Sequence, residues 1–282
     1  MMNTKNAKTL VIYCSPAGTT HHVAQVIEDK LEKLGKKPVT IDIGNKEKLT
    51  ELEAHLSDLP AGSCIFLGSP VYAYHAIKPV MDIIYKLPDI KGYAVIFATW
   101  GAVSSGIALY EMAKALIERG YKVIGAAKIV AVHSMMWKSD SPLGKGHPDD
   151  KDDLIVKKMV TKVVEKLSKN NADSVSLEKL NYQPVKARVI MKKASIKSLA
   201  KILPSKYLNK DLCNRCGVCM TTCPAHAITF DSYPKFASNC IFCYNCLRLC
   251  PENAFQSDFS IVEKHLKNMP PATESPLSQI FI

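Results

Sequence analysis

A doubled cysteine run constrains this chain more than any other feature. Residues 213–224 read CNRCGVCMTTCP and residues 240–251 read CIFCYNCLRLCP, so the pattern C-x2-C-x2-C-x3-C-P occurs twice. Eight of the ten cysteines fall between Cys213 and Cys250. A small secreted scaffold would spread its cysteines as disulfides. Crowding of this kind points instead to metal held by soft thiolates, in a reducing and anoxic setting. Pairs of C-x2-C also build tetrahedral zinc sites. Here three closely spaced cysteines are followed by a fourth before proline, twice, which is how iron–sulfur runs give three thiolates to one [4Fe-4S] cluster and the fourth to the other. The spacing assigns Cys213, Cys216, Cys219 and Cys250 to one cluster, and Cys240, Cys243, Cys246 and Cys223 to a second.

The first 170 residues follow a different rule. Short runs rich in Val and Ile stand at TLVIY (9–13), VTIDI (39–43), SCIFLG (63–68), YAVIFAT (93–99) and KVIGAAKIVAV (122–132). They read as buried parallel strands. Between them lie segments of helical period. In HHVAQVIEDKLEKLG, Val23, Val26, Ile27, Leu31 and Leu34 share one face and Gly35 is the stop. Others are 47–56, IKPVMDIIYKL, SGIALYEMAKALIERG and DDLIVKKMVTKVVEKLSK. Parallel strands need crossover helices, so the alternation predicts an α/β, doubly wound five-stranded parallel sheet with its ligand beyond the carboxyl ends of the strands. Those ends read CSPAGTT, GSPVYAYH, TWGAVSS and HSMMWKSDSPLGKGHPDD, and they carry Tyr72, Tyr74, Trp100 and Trp137.

Several chemistries are excluded at those loops. Cys14 could open a phosphatase loop, but that loop needs C-x5-R and Thr20 stands where the arginine belongs. Without it neither a lowered thiol pKa nor transition-state stabilisation is supplied, and Cys14 reads as the end of strand one. No G-x-x-x-x-G-K-[ST], G-x-G-x-x-G or G-x-S-x-G is present. His21, His22, His133 and His147 carry no nucleophile pattern and read as surface histidines.

The net charge of +11 is concentrated between Lys179 and Lys210, where Lys186, Arg188, Lys192, Lys193, Lys197, Lys201 and Lys206 occur without a single Asp or Glu. Such a stripe attracts nucleic acid, anionic membrane or an acidic protein, or is simply a solvated face. Within it SIKSLAKILP predicts a short amphipathic helix with Ile196, Leu199 and Leu203 on one side, ending before Pro204. The expected organisation is residues 1–170, a basic linker 171–207, a Cys-rich unit 208–257 and a Pro- and Ser-rich tail 258–282 whose Ile280, Phe281 and Ile282 can dock on a domain. No apolar run reaches the roughly 18 residues of a membrane span. The start MMNTKNAKTLVIYC passes from polar residues into a strand without an apolar signal core, so a cytoplasmic protein is expected.

On these residues the chain resembles the anaerobic flavodoxin–ferredoxin fusion proteins. Residues 208–257 are similar to a bacterial two-cluster ferredoxin, a small α+β domain, and residues 1–170 to a flavodoxin. The resemblance implies FMN and two [4Fe-4S] clusters. It implies that Ser15, Ala17, Gly18, Thr19 and Thr20 wrap the FMN phosphate at a helix N-terminus, where backbone amides carry positive partial charge. Pro16 departs from the common pattern and removes one N–H donor. Ser69, Pro70, Val71 and Tyr72, with Ala73 and Tyr74 beyond them, are implied near the isoalloxazine, and Thr99, Trp100, Gly101 and Ala102 form the facing loop.

FMN exchanges two electrons in single steps and each cluster carries one, so joining them interconverts one- and two-electron chemistry. The expected function is electron transfer between FMN, the clusters and a redox partner protein that docks on the basic linker, with no nucleic acid bound. The alternative is a flavin-dependent reductase of a quinone, disulfide or enone, with the substrate beside Tyr74, His75 and Trp100. No substrate-specific catalytic motif marks it. A linker lying against the flavin would make the flavin easier to reduce, because reduction adds negative charge. A head-to-tail homodimer would place a cluster near a neighbour's flavin.

Overall fold

A computed structural model of the chain describes residues 7–169, 172–269 and 274–282. Residues 1–6, the expected junction at 170–171 and Pro270–Thr273 of the proline-rich stretch lie outside the described residues. In the first part the elements are β1 (Thr9–Tyr13), α1 (Thr19–Lys33), β2 (Pro38–Asp42), α2 (Lys46–Ser57), β3 (Cys64–Tyr72), the short β4 (His75–Ala76), α3 (Lys78–Lys86), β5 (Tyr93–Trp100), α4 (Ala108–Glu118), β6 (Lys122–Val130) and α5 (Asp150–Ser168). The linker holds α6 (Leu177–Leu180), α7 (Val185–Lys193) and α8 (Ile196–Leu199). Then come β7 (Tyr207–Leu208), α9 (Val218–Thr221), β8 (Ile228–Phe230), β9 (Pro234–Phe236), α10 (Asn245–Arg248), β10 (Phe255–Gln256), α11 (Ser260–Lys267) and β11 (Gln279–Phe281).

The expected doubly wound sheet is present. Its parallel strands run β2-β1-β3-β5-β6, which is the flavodoxin-like order 2-1-3-4-5 with its switch point between the first and third strands. Alternation along β1 builds both faces: Leu10 and Ile12 join the core under α2, α3 and α4, while Val11 and Tyr13 join the core under α1 and α5. Helix α1 buries Val23, Val26, Ile27 and Leu31, and Gly35 closes it in the left-handed conformation, with the Lys36 amide returning to the Leu31 carbonyl. Leu34, expected on the same face, is half-buried. Two strands were not expected: β4 pairs antiparallel with the end of β3, so the loop expected there begins as strand, and β11 of the tail pairs antiparallel with β6 and extends the sheet edge, bringing Phe281 into the core.

The Cys-rich unit is built twice over. Arg215 and Phe242, Gly217 and Tyr244, and His226 and Asn253 occupy matching places in the two runs, and all six have positive φ. Helices α9 and α10 carry the third cysteine of each run, Cys219 and Cys246. The Ala227 amide donates to Cys223 Sγ at 3.3 Å and the Ala254 amide to Cys250 Sγ at 3.4 Å, the same contact repeated. Two small antiparallel pairs, β7 with β10 and β8 with β9, close the unit.

Candidate functional site

A cavity opens at the carboxyl ends of β1, β3, β5 and β6, where the topology puts it. It holds about 640 Å³ of non-atom space, open solvent at its mouth included. Ala17, Thr19, Thr20, Pro70, Val71, Tyr72, Ala73, Thr99, Trp100 and Gly101 line it. Gly18 turns the chain into α1 at φ 88° and brings no side-chain cap of its own, so the Thr19 and Thr20 amides at that helix N-terminus remain as donors for an anion. Thr20 Oγ1 and Thr99 Oγ1 lie 2.7 Å apart, both buried, and tie α1 to β5. The facing loops store strain: Ala73, Tyr74 and Ala102 all have positive φ without being glycine.

Five of the expected residues do not line the cavity. The Ser15 hydroxyl accepts the His21 amide at 2.8 Å and so caps α1, and Gly18 supplies the turn rather than the wall. Ser69 is fully buried; its Oγ donates to the Pro70 carbonyl and accepts the Ile77 amide. Tyr74 is fixed by its backbone, whose carbonyl accepts the Ile107 amide and abuts Gly106 so closely that a Cβ there would stand 2.0 Å from it. Ala102 forms the bend beyond Gly101. Trp137 also leaves the rim: it packs on Phe259 with centroids 4.6 Å apart and lies under the Arg248 guanidinium.

Two groups complete the wall that sequence reasoning had not assigned. The loop after β6 contributes Val132, His133, Ser134 and Met135. His133 is therefore no surface histidine; burial lowers its pKa to about 4 and keeps it neutral. Across the mouth, Ile196, Leu199 and Leu203 form a roof. The amphipathic segment is there, but it turns its apolar side to the cavity while Lys197 and Lys201 stay exposed. The linker lies against the cavity with hydrocarbon, not with its charge.

That roof is held from below by His75. Its Nδ1 lies 2.8 Å from Glu111 Oε1, and its Nε2 lies 2.9 Å from the Met191 carbonyl and 2.8 Å from that of Ala194, at the end of α7. Both ring nitrogens face acceptors, so the arrangement needs a proton on each. The hydrogen bond to Glu111 outweighs burial and, with the two carbonyls, raises the pKa. Lys192 and Lys114 line the same hollow. A proton held more tightly in the fold stabilises fully below the ordinary histidine pKa, and that support is lost as pH rises through the raised value. Amide exchange in residues 185–203, normalised for intrinsic rates, should accelerate as pH rises from 6 to 9, and His75→Gln should flatten the change. Equal pH dependence in both proteins would refute the latch.

The cysteines gather as two cages. Burial and then Cys250, Cys213 and Cys216 raise the Cys219 thiol to about 11, and those four surround one small cavity beside Gly217 and Phe230. Burial with Cys223 and Cys240 nearby raises Cys243 to about 12, and Cys246 reaches about 12 beside Cys243, Cys240 and Cys223. The crossed sharing of fourth cysteines is thus the spatial arrangement. The cages differ in setting. Cys216 is exposed, whereas the second cage lies against the sheet domain: Ile241 belongs to that domain's core, and a Cβ on Gly44 would stand 3.2 Å from Pro224. Cys14 meets the same cage; burial, then Asp42, Cys243 and Cys223, raise its thiol well above the ordinary value. That is the opposite of an activated nucleophile.

Arg248 joins the two parts. Its guanidinium donates to the Pro16 carbonyl at 2.9 Å, the Ser134 carbonyl at 3.0 Å and the Cys243 carbonyl at 3.3 Å. Tyr72, on the cavity wall, is pushed up first by burial and next by Cys243, so the cavity and the second cage share a partition. Tyr72 OH and Trp100 Nε1 are buried on that wall without a partner. An unmet buried polar group costs about 1–3 kcal/mol, so a polar ring bound there fits what the chain leaves open.

Different known proteins are similar to different parts of the chain. The 4Fe-4S dicluster domain family matches residues 205–251. An uncharacterized protein of Methanocaldococcus jannaschii is 32% identical over 118 residues, 37% of this chain and 53% of that protein, so the chain spans about half the length of the curated relative. A flavodoxin from the domain Archaea is 22% identical, covering 57% of this chain and 99% of its own, with a TM-score of 0.43. Rubredoxin:oxygen oxidoreductase from Desulfovibrio gigas is 18% identical, over 57% of this chain and 36% of its own, at 0.45. A flavodoxin of Fusobacterium nucleatum, solved with flavin mononucleotide, is 15% identical over 56% of this chain and 98% of its own, at 0.39. No helix among the described residues is long and apolar enough to cross a membrane.

Proposed function

We propose that this chain, a flavodoxin-like domain joined to a 4Fe-4S dicluster domain, is an electron-transfer protein that carries electrons between FMN, two [4Fe-4S] clusters and a redox partner. One observation carries the reading: Tyr72 lines the cavity and packs against the same core as Cys243 of the second cage, near enough for that thiol to raise its pKa. Bound FMN would supply two electrons in single steps to groups that each take one.

The chain's own residues do the rest. The Thr19 and Thr20 amides at the start of α1 orient a phosphate, the Thr20–Thr99 pair fixes that helix against β5, and neutral His133 adds no charge beside the ring. Ile196, Leu199 and Leu203 cover one side of the cavity's mouth with hydrocarbon. A roof of this kind suits a carrier better than a reductase, which needs an open path for its substrate. The exposed cage with Cys216 is the outlet to a partner. The partner's side of the contact is acidic, because α7 exposes Val185, Val189 and Ile190 among Lys186, Lys192 and Lys193. A cytoplasmic setting suits thiolate clusters that need reducing conditions.

Anaerobic reconstitution of the full chain should yield one FMN and about eight irons, two [4Fe-4S] clusters, per chain. Failure to take up FMN after reconstitution, with the clusters intact, would end this reading.

A further inference from the structure

Of the lysines in the basic stripe, Lys206 alone leaves the solvated face for a cluster ligand. Its Nζ donates to Cys240 Sγ at 3.5 Å. It also stands over three aromatic rings, 4.0 Å from the Phe242 centroid, 4.9 Å from Phe236 and 5.2 Å from Tyr244. Tyr244 is buried at positive φ in the place that Gly217 takes in the other run. A residue other than glycine there is strained. Its ring forms one wall of the cage around Lys206, and its hydroxyl donates to the Pro204 carbonyl, two residues before the lysine. The chain therefore accepts strain at the second run and places an ammonium group where the first run has none.

The first run has cations nearby, but they are spent differently. Lys210 and Arg215 lie over Tyr233, at 5.2 Å and 4.9 Å, on the exposed side of the unit. Among the described residues no side chain donates to Cys213, Cys216, Cys219 or Cys250 Sγ, whereas Cys240 has Lys206. The two cages share a ligand pattern, and beyond their different settings only the second has, among the described residues, a side-chain cation on a ligand sulfur.

We propose that Lys206 is a positioning residue that makes the two clusters unequal, holding the flavin-side cluster of Cys223, Cys240, Cys243 and Cys246 at a more positive potential than the outer one. The inference rests on the two-cluster reading above. One-electron reduction takes a [4Fe-4S] cluster with its four thiolates from a charge of −2 to −3, and no proton or bond need move. A cation hydrogen-bonded to a ligand sulfur stabilises the reduced form more than the oxidised one. The aromatic faces hold the ammonium in place and shield it from water, so its field is screened less than that of Lys197 or Lys201. An electron leaving the flavin then has a nearby acceptor in which it rests, and passes outward when a partner draws it from the exposed cage.

The test is a potentiometric titration of the anaerobically reconstituted full chain, followed by electron paramagnetic resonance of the reduced clusters. Wild type should show two separate waves. Lys206→Met should move only the more positive wave to a more negative potential, and the wave that moves should be the one left in place by Cys216→Ser. Lys206→Arg should hold both waves near their wild-type positions, and Lys210→Met, at the exposed ring, should shift neither. If Lys206→Met assembles only one cluster, Lys206→Gln keeps a donor without the charge and must show the same selective shift. A single unsplit wave in wild type, a parallel shift of both waves in Lys206→Met or Lys206→Gln, or no shift at all overturns the proposal. An iron content near four per chain would instead overturn the two-cluster reading on which it rests.

Discussion

Replacing Glu274 with alanine is expected to destabilise the flavodoxin-like domain by about 3–5 kcal/mol, the usual cost of leaving one member of a buried ion pair alone. Lys128 is 1% exposed and Glu274 4%, with Nζ and Oε2 2.6 Å apart. The carboxylate is fully engaged: it also accepts from the Ser105 amide at 2.7 Å, Ser104 Oγ at 2.9 Å, Gln183 Nε2 at 2.7 Å and the Ser105 hydroxyl. Without it, Lys128 is left with the Ser275 carbonyl and the faces of Trp100 and Tyr182. A single cation in that setting retains only part of the attraction that offset its dehydration. Urea unfolding of the apo-protein measures the loss, and a change below about 1 kcal/mol would mean that water reaches the site. The double variant Lys128→Met with Glu274→Met should recover much of the loss, because an apolar pair of similar size has no charge to desolvate.

Acid provides an independent reading of the same group. Burial pushes the Glu274 carboxyl up, but hydrogen bonds from Lys128, Ser105 and Gln183 outweigh it and hold it below the usual range. Its contribution is complete above the ordinary carboxylate pKa and is lost as pH falls through the lowered value. The stability curves of wild type and Glu274→Ala should therefore converge toward acid and separate toward neutrality. The loop of Ser104 and Ser105 continues directly from Thr99–Ala102, so the same substitution should also loosen the cavity wall and weaken flavin binding.

Glu274 illustrates what the sequence could not disclose. The sheet was legible because each strand is a local run of Val and Ile, and the place of the cavity followed from strand order alone. The cysteine cages were legible because their spacing encodes their partners. Glu274 stands in a Pro- and Ser-rich tail with no period, and its partners Lys128 and Ser105 lie far back in the chain, so no local pattern marks it. The roof was half legible: Ile196, Leu199 and Leu203 announced an apolar face, but a face does not name what it covers. Ser69 shows the opposite case, since a hydroxyl in such a loop suits a ligand and here satisfies nearby backbone. His133 looked like one polar residue in a long loop, and only the path of that loop across the carboxyl end of β6 turns it inward.

Arg248 lies inside the second cysteine run, where the spacing draws attention to its neighbours, and removing it should separate the two redox sites. Its hydrogen bonds to Pro16 and Ser134 are charge-assisted contacts between the Cys-rich unit and the loops of the flavin cavity, each worth roughly 1.5–3 kcal/mol when desolvated. Its guanidinium also lies 4.8 Å from the Trp137 ring centroid. The site is half-buried, and freed carbonyls regain some water, so Arg248→Met should weaken the docking by about 3 kcal/mol, on the order of 10² in the closed-to-open ratio. Apolar contacts through Ile241 and Pro224 remain, and the cysteine cages themselves keep all their thiolates. Amide exchange should then rise together in residues 14–18, 134–137 and 243–248, with iron content unchanged. Photoreduction of bound flavin should lose its fast phase of cluster reduction within one chain. Arg248→Lys should restore little of it, because one ammonium cannot span carbonyls on two separate loops as the planar fork does. If Arg248→Met keeps wild-type exchange and the fast phase, the two parts are held by their apolar contacts alone and the clamp has no role in electron passage.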